Sequence, residues 1–187
     1  MERCFWCNLR NPLYVKYHDD EWGKTRFDDA YLFEMLLLES FQAGLSWECV
    51  LNKREAFRAL FDGFDFYKIA VYDSNKIDAL CEDKSIIRNR AKINAVVKNA
   101  NIFILIVKEY GSFLKYLKLF WDGNVILDCV STSSDLSLAI SKDLKKRGMS
   151  FVGSTVIFSY LQAIGIVNSH TKDCFLYEGG INDFKSE

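Results

Sequence analysis

IIRNRAKINAVVKNANIFILIVKEY, residues 86–110, decides the fold class. From its middle onward Ile93, Val96, Val97, Ala100, Phe103, Ile104 and Val107 recur at steps of three and four, the clearest amphipathic-helix pattern in the chain. Working outward, residues 29–40 predict a second helix with Leu32, Phe33, Leu36 and Leu37 inward. That segment is apolar nearly all round, which places it centrally. Residues 135–146 and 156–164 complete the helical reading. Residues 151–158 are β-branched enough to imitate a strand, yet they are read as helix too. The joining segments are short, with one proline, Pro12, and neither a repeat nor a glycine-rich linker. An all-α bundle is the expectation.

A chain of 187 residues can bury one good core or pack two small lobes together. The expected division is a single domain over residues 1–187, possibly in two helical lobes, one of them the central 29–110. The opening MERCFWCNLR carries charge and two cysteines with no apolar run, so neither a secretory signal nor a membrane span is visible. A cytoplasmic location follows, and in a reducing compartment thiols stay free or hold metal.

Charge balance, 24 Lys plus Arg against 25 Asp plus Glu, says nothing for a polyanionic partner. Its distribution says more. Lys84, Arg88, Arg90, Lys92 and Lys98 fall in one acid-free stretch at the start of the amphipathic helix, where basic side chains and free backbone amides suit phosphate. KDLKKR at 142–147 forms a second basic knot before Gly148. A solvated helix face would have the same composition.

The two histidines each have a cysteine within reach. Cys4 precedes His18 by fourteen positions, and His170 and Cys174 stand four apart, a spacing that one helical turn would bring to one face. Two thiolates and two imidazoles make a closed tetrahedral set suited to structural zinc, with no position left for substrate. Cys7 keeps an alternative open, since Cys4 and Cys7 form a C-x2-C that could be half of a site without His18. Cys49, Cys81 and Cys129 read as core thiols.

Aromatic residues gather near the start: Trp6, Tyr14, Tyr17 and Trp22, followed by Trp47 at the end of LESFQAGLSW, residues 38–47. Core filling is the ordinary explanation. Glu39 argues for something else, because a carboxylate inside an apolar helix needs a partner. An aromatic box with one acid suits a flat, cationic, hydrogen-bonding ligand.

MERCFWC, YHDDEWG at 17–23, LESFQAGLSWECVLNKRE at 38–55, IIRNRAKI at 86–93 and ISKDLKKRGMSFVGSTVIFSYLQAIGIVNSHTKDC at 140–174 together resemble the bacterial 3-methyladenine DNA glycosylase I family over nearly the whole chain. The resemblance implies an all-α fold of the helix-hairpin-helix glycosylase type with termini tied by structural zinc. It implies Cys4, His18, His170 and Cys174 as ligands, with Cys7 an extra thiol nearby. It further implies that Glu39 recognises the extruded base, that Tyr17 and Trp47 line the pocket, and that Trp6, Tyr14 and Trp22 are neighbours. Residues 83–93 align with the family's hairpin, so Arg88, Arg90 and Lys92 are the expected phosphate contacts. Leu45, by its position after Gly44, is expected to enter the gap left by the flipped nucleotide. Ser40 and Phe41 depart from the residues common in relatives.

The implied activity is excision of 3-methyladenine from alkylated double-stranded DNA by base flipping and hydrolysis of the N-glycosidic bond, by a monomer. With both histidines on zinc and no catalytic aspartate implied, Glu39 and the aromatic box carry the chemistry. A catalytically inactive zinc-tied DNA-binding protein of the same fold is the alternative, and a binder of cationic metabolites a third reading. An acid set in an aromatic box speaks against the first of these, and the basic hairpin against the second.

Overall fold

Within residues 86–110, helix α7 spans Arg90–Tyr110 in the computed structural model, which describes residues 1–177. Asn89 caps its start by accepting from the Lys92 amide, and Gly111 ends it at φ 88°, a left-handed conformation that glycine adopts without strain. Ile93, Val96, Ala100, Phe103 and Ile106 are buried along it, while Ile104 and Val107 lie half-buried at the edge of that face. Before α7 comes α6 (Ser74–Glu82), and the turn between them is pinned to the core by buried Ile86.

Helix α2 (Asp29–Gln42) occupies the expected central position, with every residue from Tyr31 to Phe41 buried. It packs against α7 on one side and α10 (Ser154–Ala163) on another. Helix α10 also packs on α9 (Asp135–Arg147), which begins with a Ser134–Ser137 capping box and ends at Gly148, φ 106°. Shorter helices fill the rest: α1 (Pro12–Asp20), α3 (Trp47–Leu51), α4 (Arg54–Leu60), α5 (Phe66–Ile69) and α8 (Phe113–Leu117).

Two local readings of the sequence are corrected. Residues 151–153 are not helical: Phe151 takes φ 58°, Gly153 caps α10, and the helix starts only at Ser154. The fold is mostly helical rather than wholly so. Strands β1 (Ile126–Leu127) and β2 (Val167–Asn168) form a two-residue parallel ladder, too short for an alternating pattern to register in sequence. One cluster of buried apolar residues runs from Cys4 to Cys174, and the Phe175 amide donates to the Glu2 carbonyl at 3.0 Å, so the two ends of the described chain lie together.

Candidate active site

A cavity of about 230 Å³ opens between α1, α2, α3 and α10. All six aromatic-box residues named from sequence line it: Trp6, Tyr14, Tyr17, Trp22, Trp47 and the acid Glu39. The rings contact one another, with centroids 5.0 Å apart for Tyr17 and Trp47, 4.7 Å for Trp6 and Trp22, and 5.6 Å for Trp6 and Tyr14. Helix α1 supplies Tyr14 and Tyr17 from one face, as their three-residue spacing requires.

Glu39 is 4 % exposed, and its Oε2 is buried without a hydrogen-bond partner among the described residues. Burial pushes its carboxyl up to about 8. Its place in the last turn of α2, where the helix dipole is negative, opposes ionisation further. The Trp47 Nε1–H is likewise buried and unpartnered. Such orphaned groups are costly in an ordinary core, and a ligand that satisfies them recovers that cost. Burial also raises the Tyr14 hydroxyl to about 12 and lifts that of Tyr17 well above its ordinary value, so both stay neutral donors.

The far wall is polar and escaped the sequence reading. Ser159 and Gln162 project from α10, and the Gln162 amide donates to Ser169 Oγ at 2.7 Å while Ser169 donates to the Asp128 carbonyl. Ser159 and Gln162, three apart among Val156, Ile157, Phe158 and Leu161, were the available signal. Glu39, Gln42 and Ser159 also border a second, smaller cavity that reaches Gly44 and Leu45.

Behind the aromatic wall, Cys4, His18, His170 and Cys174 converge, their donor atoms all within 4.8 Å of one another. Cys4 Sγ lies 3.4 Å from His170 Nδ1, and Cys174 Sγ lies 3.5 Å from both His170 Nδ1 and His18 Nε2. Tetrahedral zinc sets its sulfur and nitrogen ligands about 3.5 Å apart, so the donor set fits such an ion. His18 Nδ1 faces Asp19 at 2.8 Å, and Asp19 is gripped by Arg3, an arrangement that fixes the ring with Nε2 toward the cluster. Burial, with Cys174 alongside, pushes the Cys4 thiol up to about 11, and burial, with His18 alongside, lowers His170 to about 4 and keeps it neutral. A bound cation offsets the first penalty and prefers the second state.

Cys7 stands outside this cluster, its thiol directed to the Tyr14 carbonyl. The four-residue step from His170 to Cys174 works through a turn, with the Cys174 amide on the Thr171 carbonyl at 2.8 Å, and not through a helix. Trp22 and Trp6 rest on the cluster's histidines, at 4.6 Å from His170 and 5.2 Å from His18. The cluster therefore backs the cavity wall.

The basic hairpin divides. Arg88 is exposed; Arg90 is exposed and paired with Asp78 at 2.7 Å. Lys92 departs from the phosphate contact expected of it. Only 7 % exposed, its ammonium donates to the carbonyls of Phe41 and Ala43, both at 2.7 Å, and so closes the C-terminal end of α2. The terminal carbonyls of a helix attract a cation, and burial among them turns this one away from solvent. Leu45 stands out after Gly44, which takes φ 80°.

A family model described as methyladenine glycosylase matches residues 6–177. The chain belongs to the methyladenine glycosylase family. This family member is 42 % identical over 185 residues to DNA-3-methyladenine glycosylase 1 of Escherichia coli (strain K12), with 96 % of this chain and 98 % of that one covered. It is 41 % identical over 178 residues to DNA-3-methyladenine glycosylase of Haemophilus influenzae, covering 92 % and 96 %. A crystal structure of 3-methyladenine DNA glycosylase I matches with TM-score 0.89 and 42 % identity over 93 % of this chain and 98 % of that one. A structure of the Staphylococcus aureus glycosylase, described as the basis of 3-methyladenine recognition, matches with TM-score 0.87 and 36 % identity over 93 % and 95 %.

Proposed function

We propose that this chain is a DNA repair glycosylase that releases 3-methyladenine from alkylated double-stranded DNA by hydrolysing the N-glycosidic bond. The observation that carries the reading is Glu39, a buried carboxyl with an unpartnered oxygen at the back of an aromatic cavity. Family membership and the relatives' names supply the substrate class.

Adenine methylated at N3 within DNA is cationic, so its bond to the sugar is already weakened. The protein then has to extrude, hold and orient the base. Extrusion costs a few kcal/mol of unstacking, less for a damaged base, which itself favours the lesion. Tyr17 and Trp47 offer faces for stacking and cation–π attraction. As the cationic base arrives, Glu39 gives up its proton, because an adjacent positive charge favours the carboxylate that burial alone disfavours. Its oxygen accepts from the exocyclic amine in a charge-assisted hydrogen bond. As the bond between base and sugar breaks with its electron pair going to the base, water adds to the sugar carbon and releases a proton to solvent, and neutral 3-methyladenine departs.

The duplex is held by its phosphates, since a repair enzyme acts at any sequence. Arg88, the hairpin amides and Arg90, once released from Asp78, are the contacts assigned here, with Leu45 entering the stack beside the extruded nucleotide. The helix-hairpin-helix description of the fold rests on α6, its turn and α7. Cys4, His18, His170 and Cys174 are assigned to a structural zinc that ties the two ends of the chain; zinc there supplies cross-linking and no open coordination site. A cytoplasmic monomer organised as one domain completes the reading, and no helix among the described residues is long and apolar enough to cross a membrane.

Chromatography of bases released from methylated duplex DNA tests the activity. Wild-type protein is expected to release 3-methyladenine; protein that binds the duplex yet releases no base would be a silent DNA-binding relative. Elemental analysis tests the metal. One zinc per chain, lost when Cys4 and Cys174 are both changed to Ser, is expected; full retention in that double variant overturns the ligand assignment.

A further inference from the structure

Phe5 belongs to the lining of the Glu39 cavity, yet 89 % of it is exposed. The cavity's inner rings, Tyr17, Trp22 and Trp47, are all buried, so Phe5 marks the rim and not the seat. Its mounting is firm. The Cys7 amide donates to the Cys4 carbonyl at 2.9 Å, closing a turn over residues 4–7, and both cysteines are buried, which leaves Phe5 outside between two anchored neighbours.

One exposed apolar side chain is ordinary on a protein surface. An aromatic ring fixed on a tight turn at the mouth of a base-sized cavity is a narrower circumstance. A nucleobase seated against Glu39 is still bonded to its deoxyribose, so sugar and flanking nucleotide must lie at that mouth. Both present apolar faces that an aromatic ring covers regardless of sequence.

We propose that Phe5 is a strand contact: it packs on the deoxyribose and neighbouring nucleotide of a strand whose extruded base fills the cavity, and it sets affinity for DNA without setting affinity for the free base. The substrate in this inference is that of the glycosylase reading above. The effect belongs to a residue that no buried contact requires, so substitution leaves the fold intact.

Wild type, Phe5→Ser and Phe5→Tyr are compared for binding to a fluorescent duplex carrying a stable abasic-site analogue, for binding of free 3-methyladenine, and for the thermal midpoint. Phe5→Ser is expected to weaken duplex binding about tenfold, the low end of what loss of one aromatic stacking partner costs. Free-base affinity and thermal midpoint stay unchanged, and Phe5→Tyr restores duplex binding. Duplex binding by Phe5→Ser equal to wild type overturns the assignment, as does an equal loss of free-base affinity, which would place the ring on the base. The binding measurements read Phe5 whether or not bases are released. Failure of the wild type to excise 3-methyladenine refutes the glycosylase reading separately.

Discussion

On helix α2, Glu34 accepts from Arg54 Nε at 2.7 Å and from Arg58 Nε at 3.0 Å, whereas Glu39, five residues on, keeps an oxygen buried with no partner among the described residues. Arg54 also clamps Glu21 with two 2.7 Å bonds. The first acid is part of a matched charge network; the second is left unmatched in a cavity. Desolvation is costly for both, and only a partner offsets it. Where the protein needs a buried acid for cohesion it provides guanidinium groups. At Glu39 it leaves the bonding capacity open, as the proposed base recognition requires, and the penalty appears as a carboxyl raised to about 8.

The comparison breaks most visibly at Glu39. Glu39→Gln is expected to reduce base release by about a hundredfold or more, the scale on which a preorganised polar group acts on a developing charge change. The same substitution should raise stability, and pH decides when. The folded value, about 8, lies above the ordinary 4.5, so the group's contribution is fully present below pH 4.5 and is lost as pH rises through 8. Thermal melts of the two proteins should therefore coincide near pH 4 and separate progressively toward pH 8, with the variant melting higher. Coincidence at every pH would mean that Glu39 has found a partner in solution, and the contrast with Glu34 would fail.

Arg54→Met tests the other half. It leaves Glu34 buried without its closest guanidinium and frees Glu21, so a loss of about 3–5 kcal/mol is expected from denaturant unfolding. Base release by the protein that remains folded persists. A stable Arg54→Met protein would show that Glu34 tolerates isolation as Glu39 does, and that the two acids differ less than their contacts suggest.

How much of this was open to the sequence follows from the same physics. The period of α7 and the apolar length of α2 reported themselves, because burial of one face or of a whole helix imposes composition over many residues. Cys4, His18, His170 and Cys174 were recognisable as a candidate set, but only tertiary structure shows that these four cluster and that Cys7 stands apart, since thiol spacing is the same in either arrangement. Glu39 stood out as an acid among leucines, while its difference from Glu34 did not: both look like acids in one apolar helix, and the arginines that separate them come twenty and twenty-four positions after Glu34. Ser159 and Gln162 were readable in principle and were passed over. The β1–β2 ladder was not readable at all, because two residues carry no period.

Lys92 offers the smallest effect and the sharpest test of how the hairpin joins the pocket. Its ammonium bonds the last carbonyls of α2, one helical turn beyond Glu39, while its backbone begins α7 immediately after the basic turn. Lys92→Met keeps most of the aliphatic stem and removes the donor, leaving two carbonyls unmet, at a cost of about 1–3 kcal/mol. Fraying there loosens the turn at residues 42–45, where the Leu45 amide donates to the Gln42 carbonyl, so duplex affinity should fall modestly with an unchanged salt slope. A lysine that contacted phosphate would behave otherwise. Its loss would leave stability untouched and reduce the slope of log affinity against log salt by about one. Unfolding and salt titration on one variant thus separate a residue that holds the acid's helix from one that holds DNA, and a reduced slope at wild-type stability would return Lys92 to the role its place in the sequence suggested.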